Sequence, residues 1–262
     1  MKRYIYYLVS GCIIAFSFVF NITYSICSEG GAIAMESINV YDAMIKFVVK
    51  IGIYSNFLLI VAAVLPSFEC RNNNIQTTRL LSVDSKTFSF QSSVKTSIIT
   101  GIVFTATQTI LCFICFLFAS QIIPYSGLGY GTFGAFGYIR TENPFVYLLI
   151  CQINYFLYGC SINLFARCLL KIIQKKQCVV PAILIYSCSY MFVPLPTKDT
   201  AYFKWMVLFA PQLLGDLLTY DIPVFNRTFG YVSIFLSSYV LHGLSIRINM
   251  NRRKRLCGKE HP

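Results

Sequence analysis

Ser97–Ile123 reads SIITGIVFTATQTILCFICFLFASQII, with no charged residue anywhere in it. A helix needs about 20 predominantly apolar residues to cross a bilayer. The core of a soluble domain has no use for an uncharged run this long. On the N-terminal side the run meets Lys95 and a polar stretch reaching back to Glu69, and beyond that a second apolar segment, Phe47–Phe68. On the C-terminal side come Pro124, a glycine-rich stretch (Gly127 to Gly137) and a further apolar segment, Phe145–Ala166. Three more follow the same pattern: Tyr4–Ile22 near the N-terminus, Val179–Leu195, and Thr228–Ile246 before the tail.

Composition agrees with these runs. The chain has 262 residues, 56% hydrophobic and 12% charged, with a mean hydropathy of +0.63. Ordinary soluble domains carry about 25% charged residues. The expected fold is therefore all-α: a polytopic transmembrane bundle of six helices, forming one domain over residues 1–262. Tyr4–Ile22 lacks a small-residue cleavage pattern after it, so it is expected to stay as an anchor. Lys50 lies near the end of its segment, where its ammonium can extend to the headgroups.

A net charge of +12 would suggest nucleic acid in a soluble protein. In a membrane protein, basic residues first report orientation, and no nucleic-acid role is expected. With both termini inside, sixteen Lys and Arg face the cytoplasm and six lie outside or near the outer boundary. That asymmetry favours both ends in the cytoplasm, in a cell membrane of the bacterial cytoplasmic kind. The tail Arg252–Arg255 fits an anchor at anionic lipid, at about 1 kcal/mol per basic residue. Ten of the eleven cysteines fall in apolar runs or on the inner side, which suits packing better than a disulfide scaffold. Trp205–Asp216, broken by Pro211 and Gly215, is too short to cross and is expected as an interfacial or re-entrant hairpin before the last helix.

Motifs of catalysis fare poorly. Gly129-Tyr130-Gly131-Thr132-Phe133-Gly134 matches G-x-G-x-x-G, yet it follows an apolar run rather than a strand and reads as a flexible outer loop. No G-x-x-x-x-G-K-[ST] occurs. Cys112 and Cys115 form a C-x-x-C inside an apolar run, where residues three apart simply share a helix face. His242 is the one histidine within an apolar segment, without carboxylate or thiolate company, so no metal site is expected. None of the ten Asp and Glu lies in a spanning segment, and the chain is expected not to be an enzyme.

Polar residues inside the segments are more telling. Gln152, Tyr155, Gly159 and Asn163 recur at helical spacing, and Gln108 and Asn56 add embedded amides. An unpaired amide in hydrocarbon costs several kcal/mol, so these groups avoid lipid. They either hydrogen-bond between helices or line a substrate path or subunit seam.

The stretch after the second segment carries a family resemblance. Glu69 closes that segment, a polar linker with Arg71 and Arg79 leads to Leu80-Leu81-Ser82, then come Ser85-Lys86 and Lys95. This order resembles the permeases of type-2 ABC exporters, as do the six-helix plan and the broken outer hairpin. The linker lacks the family's usual glycine. The resemblance implies that loop 69–95 couples to a separate cytosolic ATPase through Glu69, Arg71, Arg79, Leu80, Leu81 and Lys86. ATP and Mg would be bound by that ATPase, with no cofactor on this chain. It also implies a second permease copy, identical or paralogous, and membrane lipid as partners. The cargo class implied is a peptide, lipid-like amphiphile or drug, moved outward. The alternative is a stand-alone membrane protein with no ATPase: a secondary transporter, membrane enzyme or scaffold.

Overall fold

A computed structural model describes residues 2–28, 53–69, 85–118, 130–134, 137–141, 144–173, 179, 181–183 and 235–248. Helix accounts for this part of the chain apart from one short hairpin. Helix α1 is Lys2–Ser28 and α2 is Ile53–Val64, continued by a 3-10 turn over Leu65–Glu69. Helix α3 is Ser85–Phe118 and α4 is Pro144–Ile172. A further helix, α5, covers 235–248, and residues 179 and 181–183 are also helical.

Several boundaries have a visible cause. Pro144 opens α4, where a residue without an N–H leaves no intrahelical bond unmade. Pro66 ends α2 as a regular helix, because proline cannot donate to the preceding turn. Helix α3 begins at Ser85, well before the apolar run, so residues 85–95 of the expected coupling loop are already helical. Its many threonines do not break it: Thr96, Thr100, Thr105 and Thr109 donate their hydroxyls to carbonyls one turn back, at 2.8–3.1 Å. A hydroxyl satisfied within its own helix can sit in an apolar surrounding at little cost.

The glycine-rich stretch departs from the loop expected of it. Tyr130–Gly134 and Gly137–Thr141 form an antiparallel pair, β1 and β2, from Tyr130 opposite Thr141 to Gly134 opposite Gly137. Gly129 lies outside the described residues, and the G-x-G-x-x-G match falls on a strand rather than on a strand-to-helix turn.

Helices α3 and α4 run antiparallel, since rising numbers on one meet falling numbers on the other. The Phe104 ring lies tilted against Tyr158 (ring centroids 6.0 Å), Ser97 meets Asn163, and Ser93 meets Lys171. At the crossing the backbones nearly touch. A Cβ on Gly101 would lie 2.8 Å from the Phe156 carbonyl oxygen and 2.5 Å from Cys160 Sγ. One on Gly159 would lie 3.2 Å from Gly101 Cα. Small residues on both helices make this approach possible, as they do between membrane helices generally.

Polar groups share the interior with apolar ones, and many large apolar side chains lie on the surface. Ser10, Ser93, Ser97, Thr100, Gln108, Asn163, Arg167 and His242 are buried, whereas Leu8, Phe16, Ile102, Ile110, Phe113 and Leu236 are exposed. An apolar core of Ile14, Phe18, Leu59, Ile60, Phe104, Tyr155, Tyr158 and Ile162 sits among the polar groups. Among the described residues one helix, Phe90–Leu111 within α3, is long and apolar enough to cross a membrane. Tyr4–Phe20 and Phe57–Phe68 are shorter apolar helices. Residues 198–227, with the expected broken hairpin, lie outside the described residues.

Candidate functional site

Two buried polar clusters lie along the α3–α4 seam, and each follows from a local feature of the chain. The first is built on Pro66. Lacking an N–H, Pro66 can serve neither Ala62 O in an α pattern nor Ala63 O in a 3-10 pattern. Side chains from two other helices take its place. Ser10 Oγ of α1 donates to Ala62 O at 2.8 Å, and Asn163 Nδ2 of α4 donates to Ala63 O at 2.8 Å. Ser67 Oγ donates to Val64 O at 2.6 Å. Asn163 Oδ1 lies 3.2 Å from Ser97 Oγ, whose single proton is shared between that oxygen and the Ser93 carbonyl at 2.9 Å. The break in α2 is thereby tied to α1, α4 and α3 at once.

The second cluster lies further along the seam. Lys171 Nζ donates to Ser93 Oγ at 2.9 Å and sits 3.2 Å from His242 Nδ1. A lysine ammonium is a donor only, so His242 meets it through an unprotonated Nδ1. The His242 ring also lies 5.1 Å from Phe90, which packs edge-on to Tyr239 at 5.6 Å. One turn before Lys171, Arg167 is buried (5% exposed), and its Nη1 has no hydrogen-bond partner among the described residues. Burial pushes the neighbouring Cys168 thiol up from its ordinary range, while the charges of Lys171 and Arg167 pull it back. None of the side chains described is a carboxylate.

The seam residues expected from sequence are brought together in part. Tyr155, Gly159 and Asn163 share the α4 face that packs on α3. For Asn163 the outcome is interhelical hydrogen bonding. Gln108 is buried with neither amide atom partnered among the described residues, and Gln152 Oε1 likewise. Asn56 lies in α2, and its side chain is outside the described residues.

Of the expected coupling residues, Glu69 ends the 3-10 turn and Lys86 lies in the first turn of α3. Arg71, Arg79, Leu80 and Leu81 lie outside the described residues. Among the described residues no cluster of His, Cys, Asp and Glu could hold a metal ion.

Sequence reading missed two things. Pro66 was an available signal: a proline two residues before the end of an apolar segment frees carbonyls that something must serve. Arg167 and Lys171, four apart, share a helix face and read as topology markers, but the meeting of Lys171 with Ser93 and His242 joins three distant segments. No family model, curated protein or solved structure matches the chain.

Proposed function

We propose that the chain is the membrane-spanning permease subunit of an ATP-driven exporter, multi-pass in a cell membrane with both termini inside. Its stretch 69–95 would couple to a separate cytosolic ATPase. The six-helix bundle and its orientation belong to this proposal, as does a second permease copy. One observation carries the membrane part: amides, hydroxyls and a guanidinium are buried while isoleucines, leucines and phenylalanines cover the exposed helix faces. Lipid, not water, is the solvent that rewards that arrangement.

The coupling part rests on order along the chain. Glu69 closes the 3-10 turn after α2, Leu80-Leu81-Ser82 follows, and Ser85-Lys86 opens α3. Helix α3 continues without a break from Ser85 through the apolar span, so a push at its start would travel along one rigid element. The Gly101–Gly159 contact would hand that motion to α4. Leu80 and Leu81 would supply the apolar anchor, about 1.5 to 3 kcal/mol each when fully buried, and Arg79 and Lys86 would meet acidic groups on the ATPase.

The test is a pull-down of the ATPase in matched detergent with transport measured in parallel. Leu80→Ala with Leu81→Ala should leave the protein inserted and folded while abolishing ATPase binding or transport. Undiminished binding and transport in that variant sink the coupling assignment. Absence of any ATPase with the wild-type chain sinks the exporter reading and favours a stand-alone membrane protein.

A further inference from the structure

The cluster of Arg167, Lys171, His242 and Ser93 has the makeup of an anion site. Burying an unpaired charge is among the most expensive things a fold can do, and such a group normally survives only where its charge is met. Arg167 is 95% buried by its 5% exposure, and Nη1 has no partner among the described residues. No carboxylate is among the described side chains. Lys171 lies one turn on along the same face of α4, with Ser93 Oγ at 2.9 Å and His242 Nδ1 at 3.2 Å from its Nζ.

We propose that this cluster binds a phosphate oxyanion, with Arg167 and Lys171 as the charged ligands and Ser93 as a hydroxyl donor. A guanidinium offers parallel N–H donors that match two oxygens of a phosphate, and an ammonium serves a third. The two cations come from one helix, so the anion needs α3 and α5 only to close the site. Ser93 and His242, both within 3.2 Å of Lys171 Nζ, supply those two helices. Phosphate can arrive free or as the headgroup of an anionic lipid. The lipid source has a place for its chain: Phe90, beside His242, also lines a groove of about 580 Å³ with Gln91, Val94, Lys95, Ile98 and Ile99. The proposal makes no use of an ATPase, so it stands or falls separately from the exporter reading.

The experiment uses the full-length protein purified in a zwitterion-free, phosphate-free detergent. Thermal unfolding is followed while inorganic phosphate, phosphatidic acid or phosphatidylcholine is titrated in. Phosphatidic acid should raise the unfolding temperature with saturation, and phosphatidylcholine should not. A response to phosphatidic acid alone identifies the lipid headgroup as ligand, and an equal response to millimolar inorganic phosphate identifies the free ion. Either supports the site. Arg167→Met should weaken the response at least tenfold in concentration, and Arg167→Lys should retain part of it. Lys171→Met provides an independent reading at a half-buried position in case Arg167→Met fails to fold. Arg247→Gln, an exposed arginine on α5 outside that groove, should respond like the wild type. A wild type indifferent to both phosphate sources, or a Lys171→Met response equal to wild type, overturns the site. So does an equal loss in Arg247→Gln, which would mark the effect as general surface charge.

Discussion

The two polar clusters on the α3–α4 seam are alike in burial and opposite in completeness. Around Pro66, the carbonyls that proline leaves unserved each meet a donor from another helix. Around Lys171, a guanidinium is buried with an N–H group that meets nothing described. A satisfied polar cluster explains itself as structure: it orients helices, and its groups are used up in doing so. An incomplete one carries a standing cost, and a ligand is what removes it. Residue types alone would not separate the two, since both draw on serines and a long polar side chain of α4.

The largest effect that would break this comparison lies one turn beyond the Pro66 cluster, at the glycine contact where α3 and α4 approach closely. Gly101→Val would drive side-chain atoms into the Phe156 carbonyl, which is backbone and cannot turn aside. A cost of about 3 kcal/mol or more is expected, seen as loss of the folded peak and a lower unfolding temperature in detergent. Gly243→Ala is the control, since a Cβ there meets nothing within 4 Å. If Gly101→Val is as mild as the control, the helices do not cross closely and the two clusters are not held together.

Next in size is Asn163→Leu, which keeps the shape and removes both amide groups. It leaves Ala63 O without its donor in a buried place, at a cost of about 2 kcal/mol. Chemical unfolding in mixed micelles measures it. A cost near zero would mean the Pro66 cluster is an accident of packing.

Ser10→Ala sharpens the cause assigned to that cluster. Alone it should cost about 1 kcal/mol, the ordinary worth of one hydrogen bond. In a Pro66→Ala background the restored N–H can serve Ala62 O, and the serine becomes redundant. A Ser10→Ala cost that persists undiminished there would show that proline is not the reason for the bond.

The smallest effect is expected on the other side of the comparison. Arg167→Met in phosphate-free detergent should change stability by no more than about 0.5 kcal/mol, or raise it, because an apolar chain replaces a charge without a partner. The same unfolding assay used for Asn163→Leu checks it. A loss of 2 kcal/mol or more would place a counter-charge on Arg167 within the chain itself and make the two clusters equals.

Much of the helical part was legible from sequence alone. The apolar runs over Tyr4–Ile22, Ser97–Ile123 and Phe145–Ala166 overlap α1, α3 and α4, because a run of uncharged residues at helix-forming length is a property of composition and needs no tertiary information. The start of α3 was not legible. Residues 85–95 are polar on the page and read as loop, yet Ser93 and Val94 are covered or half-covered by neighbouring helices, and packing rather than hydropathy holds that turn. The hairpin over 130–141 was hidden for a related reason, since five glycines between Gly127 and Gly137 suggest freedom and cross-strand pairing is a matter of partners.

The site divides along the same line. Asn163, Gly159 and Tyr155 were visible as one face because helical spacing is local arithmetic. What that face does was decided by tertiary structure: whether an amide bonds a neighbour or lines a path depends on what stands opposite, and Ala63 O stands opposite Asn163. The meeting of Ser93, Lys171 and His242 lay further out of reach, with 78 and 71 residues separating the contacting pairs. Charge was readable in the sequence, but burial was not. Arg167 counts as one basic residue among 22 until the packing of α4 closes over it, and only then does its charge demand an answer.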